Sequence, residues 1–302
     1  MTATLYQQNR FSEVLAYIDT HLDENLSVEE LSVVGVFPHS QFHFHRQFTA
    51  SVGISCFAYV QLCRMKSAAA QLAFRREKKV IDIALDHGYE EPESFSRAFK
   101  KHTGQSPSAF RKSPLWEPWH SRLNALTQLR KTHMSPTFKI EQIELIDFKA
   151  TPVAVYQHRG NPQLLAQSIR EFIEWRKKCK LSPARYATFN FLYQHPDEVE
   201  AENFRFDLVS QVDSGFVSEH SKIIVKEIPQ GSCARLRLLG SDEGLEAAIQ
   251  FLYAVWLPQS GKCLREFPLF LQRLNFFPDI AENELITDIY LPLASEPFPD
   301  SL

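Results

Sequence analysis

The chain has 302 residues, of which 44% are hydrophobic, 23% charged and only 10 are glycine, which sets the expectation of a globular protein with two domains and two cores. Its formal net charge is −3. No apolar run approaches the ~18 residues of a membrane span, and the start lacks a basic-then-apolar signal segment. Five cysteines, Cys56, Cys63, Cys179, Cys233 and Cys263, are odd in number, scattered and without a C-x-x-C pair. That argues for a reduced, cytoplasmic chain with neither a disulfide framework nor a zinc site.

Residues 1–25 predict one amphipathic helix, with Phe11, Val14, Leu15, Ile18 and Leu22 at spacings of three and four. A short helix follows from Ser27 to Val34, where Ser27 and Glu30 have the spacing of a capping box. The chain breaks over Gly35 to His39 and restarts as a second helix capped by Ser40, running through Gln41-Phe42-His43-Phe44-His45-Arg46-Gln47-Phe48. Beyond Gly53, the segment from Ser55 to Arg76 places Phe57, Val60, Leu62, Ala69, Leu72 and Ala73 on a helix. Another short helix is predicted from Val80 to Asp86, then a break at His87-Gly88-Tyr89, then a restart at Pro92, a residue suited to the first helical position.

A constant offset of 51 superposes Phe44 on Phe95, Arg46 on Arg97, Phe48 on Phe99 and Gly53 on Gly104, and keeps Ser55/Ser106, Ala58/Ala109 and Tyr59/Phe110 in register. One supersecondary unit is therefore built twice, and each copy has the helix-turn-helix pattern. In each second helix the two Phe residues, four apart, share the core face. The other face carries Gln41, Phe42, His45 and Arg46 in the first copy, and Glu93, Ser94, Ser96 and Arg97 in the second. Such side chains can enter a major groove, where arginine grips guanine through two hydrogen bonds. Phe42 reads equally as core or as a contact to a thymine methyl; Glu93 either accepts from cytosine or is simply solvated. A connecting helix of about 20 residues spans about 30 Å, close to the ~34 Å between successive major-groove faces.

Charge is unevenly shared. Residues 1–115 hold 13 Lys+Arg against 12 Asp+Glu, and residues 137–302 hold 17 against 23. Within the front part, Arg64, Lys66, Arg75, Arg76, Lys78 and Lys79 face a single acid, Glu77, a local basic stretch of the kind phosphate contacts need. His39, His43 and His45 lack a third ligand of cysteine or nearby carboxylate, so no metal is expected.

Residues 10–115 resemble the DNA-binding domain of AraC/XylS-type transcription regulators, in the Rob-like branch. The carrying residues are Phe42 to Phe48, Ile81-Asp82-Ile83-Ala84, Gly88-Tyr89, Phe95-Ser96-Arg97-Ala98-Phe99-Lys100 and Gly104-Gln105-Ser106-Pro107. The resemblance implies an all-α domain with two helix-turn-helix units, double-stranded DNA as partner, RNA polymerase as a further one, and nucleoid association. It adds Lys100 and Lys101 to the DNA-contact set. The turn Phe37-Pro38-His39-Ser40-Gln41 is longer than that family's norm.

Residues 113–136, with three prolines and no long periodic pattern, read as a boundary. The domains expected are thus 1–115, a linker 116–136 in which Leu123, Leu126 and Leu129 allow a short helix, and 137–302. A second repeat organises the rest. Gly160 and Gly240 are 80 apart, Trp175 and Trp256 are 81 apart, and so are Asp207 and Asp288. Each unit predicts strand, helix, strand, strand: Val153–Tyr156, 163–178, Tyr186–Tyr193 and Phe204–Val209, then Ser232–Leu239, 242–257, Phe267–Leu274 and Ile286–Leu291. The two halves should pair, with helices on one face and a groove on the other.

That α+β pattern, with Trp256-Leu257-Pro258-Gln259-Ser260-Gly261 and Thr287-Asp288-Ile289-Tyr290-Leu291-Pro292, resembles the GyrI-like small-molecule-binding domain over residues 138–293. The resemblance implies an effector groove with aromatic walls and a buried glutamate. Tyr156, Trp175, Phe191, Trp256, Phe270 and Tyr290 are the aromatic candidates, each also readable as core. No glutamate falls in Phe270-Leu271-Gln272-Arg273; Leu271 takes the expected place, and Arg273 stands where a tyrosine is usual. A neutral or anionic effector is favoured over a cationic one, because a buried cation without a partner is costly. A protein partner, or no ligand, remains an alternative.

Taken together, a sequence-specific DNA-binding transcription regulator is expected, with a sensing C-terminal domain, no catalytic residues and no cofactor. The alternative is a ligand-sequestering or hydrolytic GyrI-like protein with a weak DNA tether. Nucleotide-loop, zinc-protease and serine-hydrolase motifs are all missing from the sequence.

Overall fold

The computed structural model describes residues 3–35, 41–195 and 198–294, with the backbone alone at 3–9, 41, 42, 117, 118 and 122. The chain divides into two units. Met1–Ser135 with Phe277–Glu284 forms the first, and Pro136–Phe276 with Leu285–Leu302 the second.

In the first unit the helices are α1 (Ala3–Thr20), α2 (Val28–Val34), α3 (Gln41–Val52), α4 (Cys56–Phe74), α5 (Val80–Leu85), α6 (Pro92–Thr103), α7 (Pro107–Lys112) and α8 (Trp116–Met134). The capping box at Ser27 forms as the spacing predicts: the Ser27 hydroxyl accepts from the Glu30 amide at 3.2 Å, and the Glu30 carboxylate accepts from the Ser27 amide at 3.0 Å. Pro92 opens α6 at its first turn. The expected cap Ser40 and the turn at 36–40 lie outside the described residues.

The offset of 51 has a backbone meaning. Gly53 and Gly104 both adopt left-handed φ, at 82° and 80°, and so end α3 and α6 in a conformation that other residues adopt at a cost. Two residues on, Ser55 and Ser106 accept from the amides of Ala58 and Ala109 and start the next helix. Tyr59 and Phe110, four further, are fully buried.

Each half has its own core. Phe44 and Phe48 pack with Phe11, Leu15, Ile18, Leu31 and Tyr59. Phe95 and Phe99 pack with Met65, Leu72, Ile83, Phe110 and Trp119. Helix α4 contributes to both, and its 19 residues give it a length of ~28 Å. The 116–136 stretch, expected as a linker with at most a short helix, is instead mostly the 19-residue α8. It buries Trp119, Leu126 and Arg130, with Leu123 touching both cores. Its periodicity is concealed in sequence because one of the positions facing inward is an arginine rather than an apolar residue.

In the second unit eight strands form one antiparallel sheet. In chain order they are β1 (Ile143–Phe148), β2 (Thr151–Arg159), β3 (Thr188–Leu192), β4 (Arg205–Gln211), β5 (Ile223–Ile228), β6 (Gly231–Leu239), β7 (Leu269–Arg273) and β8 (Ile286–Pro292), and across the sheet they run β1-β6-β8-β7-β3-β4-β2-β5. Helix α9 (Leu165–Lys178) belongs to the first repeat. In the second, α10 (Leu245–Gln250) continues through a π-helical stretch, Phe251–Trp256, into α11 (Leu257–Ser260).

The strand-helix-strand-strand expectation lacked β1 and β5. Each opens its own repeat yet pairs with the other: β1 with β6, and β5 with β2. Both are edge strands, mostly exposed, with Glu144, Lys226 and Glu227 where a half-buried strand would alternate apolar and polar. Edge strands are commonly charged in this way, which blunts further pairing. The repeats meet at β3 and β7, where Phe191 faces Phe270.

Candidate functional site

In the first unit, helical spacing on α3 and α6 separates buried from exposed side chains. Phe44, Phe48, Phe95 and Phe99 are all 0% exposed. On α3 the residues turned outward include His45 and Arg46, both exposed; Gln41 and Phe42 are placed by backbone only. On α6, Glu93, Arg97, Lys100 and Lys101 are exposed, and Ser94 and Ser96 are half-buried. Arg97 donates to the Ser94 hydroxyl at 3.1 Å, and that hydroxyl faces Glu91 at 3.4 Å, so the guanidinium is steered along its own helix. The basic last turn of α6, Lys100-Lys101-His102, also complements the helix dipole.

The basic stretch that begins on α4 and continues past its end divides differently from the phosphate-facing set expected from sequence. Arg64 donates to the carbonyls of Leu22 (2.9 Å) and Glu24 (2.6 Å), and its guanidinium lies against Gly88, where an added Cβ would sit 2.7 Å from Nη2. It therefore ties the α1–α2 turn to the turn of the second helix-turn-helix. Lys66 pairs with Glu282 at 2.5 Å, Arg75 with Asp279 and Lys78 with Asp86. Arg76 and Lys79 remain exposed. Six basic residues in a short stretch read as one electrostatic face, but only Arg64 and Lys66 are on α4, and the other four follow its end.

In the second unit, the seven residues expected to line an effector groove do not converge. Tyr156 and Trp175 pack together with Phe172 and Leu208 under α9. Trp256 packs with Leu236, Leu252 and Ile289 under the other helix. Arg273 ion-pairs with Asp242 and donates to Asn190 at 3.0 Å, on that same helix-covered face. Alternation along β3, β7 and β8 puts only Phe191, Phe270 and Tyr290 on the opposite face, where they join Phe189, Phe148 and Phe267. Phe270 and Tyr290 stack at 4.9 Å and 12°, and Phe148 meets both rings edge-on. Leu271, given the place of the family's glutamate in the sequence reading, is buried in the helix-side core and cannot face a groove.

Two buried carboxylates lie on the aromatic face, the repeat-related pair Asp207 and Asp288, 0% and 2% exposed. One row of register crosses seven strands: Glu144, Arg235, Tyr290, Phe270, Phe191, Asp207, Gln157. Asp207 accepts from Arg205 at 3.0 and 2.7 Å and from the Tyr193 hydroxyl at 2.8 Å. Asp288 accepts from Arg237 at 2.7 and 2.8 Å, with Arg235 at 3.7 Å. The hydrogen bonds to these carboxylates hold Arg205 and Arg237 above their ordinary pKa, and burial pushes the Tyr290 phenol up to about 12. The 81-residue offset contained both acids, but charge alone did not reveal that arginine already neutralises them.

An all-α unit with two outward-facing arginines on duplicated helices, beside a unit built from two strand-swapped α+β repeats, defines a helix-turn-helix protein with an appended effector-type domain. Residues 141–294 match the GyrI-like small molecule binding domain, and residues 36–113 match a helix-turn-helix domain. The chain belongs to the GyrI-like family and carries an AraC-type helix-turn-helix region in front of that domain. The probable transcriptional regulator YgiV of Escherichia coli strain K12 is 33% identical over 153 residues, 50% of this chain and 96% of that protein. The right origin-binding protein of the same strain is 31% identical over 110 residues, 36% of this chain and 37% of that protein. Among solved structures, the DNA-binding domain of AdpA in complex with a target DNA is 27% identical, over 33% of this chain and 88% of that one, with a TM-score of 0.31.

Proposed function

We propose that the protein is a transcription regulator that reads double-stranded DNA with α3 and α6 and senses an effector with the aromatic face of its second unit. The observation that carries the reading is the duplication: two helices anchored by equivalent buried phenylalanine pairs, each holding an exposed arginine at the equivalent position, Arg46 and Arg97. The ~28 Å length of α4 suits two probes one helical turn of DNA apart on a single chain. The names of YgiV and the helix-turn-helix match support a regulator rather than an enzyme. RNA polymerase is the partner through which such a regulator would act.

The effector favoured is planar and uncharged, or anionic. Aromatic rings floor the face, and the two buried carboxylates beside them are each held by arginine, so a cation would have to displace a guanidinium. The same pairing engages both Asp207 and Asp288 with arginine, and the glutamate that a hydrolytic alternative would use has no counterpart in Phe270-Leu271-Gln272-Arg273.

The test is selection of duplexes from a random pool by the full-length protein, followed by footprinting. Two protected major-groove segments about one turn apart (roughly 10 bp), with affinity falling steeply as salt rises, support the proposal. Failure to enrich any sequence would defeat it.

A further inference from the structure

The segment Phe277–Glu284 lies between β7 and β8 in sequence, yet by its packing it is part of the first unit. There it completes a buried charge network. Arg130 on α8, 1% exposed, donates to both Asp19 oxygens at 2.8 Å and to the Tyr59 hydroxyl at 3.0 Å. Glu282 lies 3.4 Å from the same guanidinium and 2.5 Å from the Lys66 ammonium. Asp279 receives Arg75, and Asn283 donates to the Ala16 carbonyl at 3.1 Å. Arg130 and Lys66 thus share the carboxylates of Asp19 and Glu282. Removing the Glu282 carboxylate takes a negative charge away from beside a guanidinium that is almost wholly out of water, an unfavourable change.

The network reaches the DNA-reading helix in one further step. The Tyr59 ring, whose hydroxyl accepts from Arg130, packs edge-on against Phe48 of α3 with centroids 6.1 Å apart. A cavity of about 300 Å³ adjoins the segment, walled by Asp19, Cys63, Lys66, Gln71, His87 and residues 277–282. The buried side-chain amide oxygen of Gln71 on that wall accepts no hydrogen bond among the described residues.

We propose that Phe277–Glu284 is a positioning element of the DNA-binding unit, with Glu282 acting through Arg130 and Tyr59 on helix α3. The inference rests on α3 being a reading helix and adds a part supplied from the second half of the chain. In sequence the element lies between β7 and β8, which carry Phe270 and Tyr290.

The test uses full-length Glu282→Gln, with Asp279→Asn as a second variant whose exposed pair is less costly to lose. Binding is read on the duplex enriched by the wild-type chain, alongside amide exchange of the DNA-free protein. Glu282→Gln should raise Kd by about threefold to thirtyfold. The salt slope should not change, and base preference should weaken in the half-site read by Arg46 while the half read by Arg97 is kept. Amides of α3 and α8 should exchange faster, and those of β3 and β4 should not. An unchanged or lower Kd overturns the proposal. A lower Kd with a steeper salt slope would mean that the acids only mask Lys66 and Arg75 from phosphate. Should the wild-type chain bind no duplex, the DNA-reading assignment fails instead, and the exchange pattern of α3 still decides whether Glu282 positions that helix.

Discussion

Gly88→Ala tests the mechanical link between the two helix-turn-helix units. Gly88 has φ +71°, and a side chain forced into that left-handed region costs ~1–2 kcal/mol on its own. An added Cβ would also sit 2.7 Å from Arg64 Nη2 and 3.0 Å from Cζ. The guanidinium must then swing away and give up its bonds to the Leu22 and Glu24 carbonyls. Hydrogen bonds to charged groups contribute ~1.5–3 kcal/mol each when shielded. Since one of these is exposed, the added loss is taken as about 1–3 kcal/mol in total. Gly104→Ala is the control: its φ is +80°, but nothing lies within 4 Å of the added Cβ, so only the backbone strain remains. Urea unfolding of both variants measures the difference. Gly88→Ala should be the less stable by about 1–3 kcal/mol; equal stabilities would refute the role given to Arg64.

Phe99→Ala should cost about 3–5 kcal/mol in the same assay, because the ring is wholly buried among Phe95, Phe110 and Met65. Asp207→Ala leaves Arg205 without its carboxylate and should destabilise the second unit by about 3–5 kcal/mol, less if Arg205 finds water; a thermal melt followed by tryptophan fluorescence reads this. His87 is 1% exposed, and burial holds its pKa below the ordinary value despite its contact with the Ile83 carbonyl. Below about pH 6.5 the unfolded chain therefore takes up a proton that the folded chain refuses, and stability falls as pH drops. Urea midpoints at neutral and mildly acidic pH should show this decline, and His87→Gln should make it shallower, since burial also lowers the pKa of His120 and His158.

Much of the first unit was legible because its duplication appears in the sequence as identities: the phenylalanine pairs, the left-handed glycines and the capping serines each have one local physical job. Helix α8 was not, since Arg130 occupies a core position and is held there by Asp19, Tyr59 and Glu282, all distant in sequence. Strands β1 and β5 were concealed for another reason: swapped to the sheet edges, they bury too little to alternate. The aromatic face was half legible. Phe191, Phe270 and Tyr290 do gather, but Tyr156, Trp175 and Trp256 belong to helix-side cores. A period of two gives the alternation along one strand and not which face it covers, and only the register supplied that.

The central claim is that α3 and α6 read bases as a pair, and it is tested most directly by comparing the sequence preference of Arg46→Ala and Arg97→Ala with that of the wild-type chain. Each substitution should cost about 1–3 kcal/mol on the preferred duplex and relax preference at one base position. The two relaxed positions should lie about one helical turn apart. Two variants that keep the full wild-type preference, or that both relax the same position, would contradict the account.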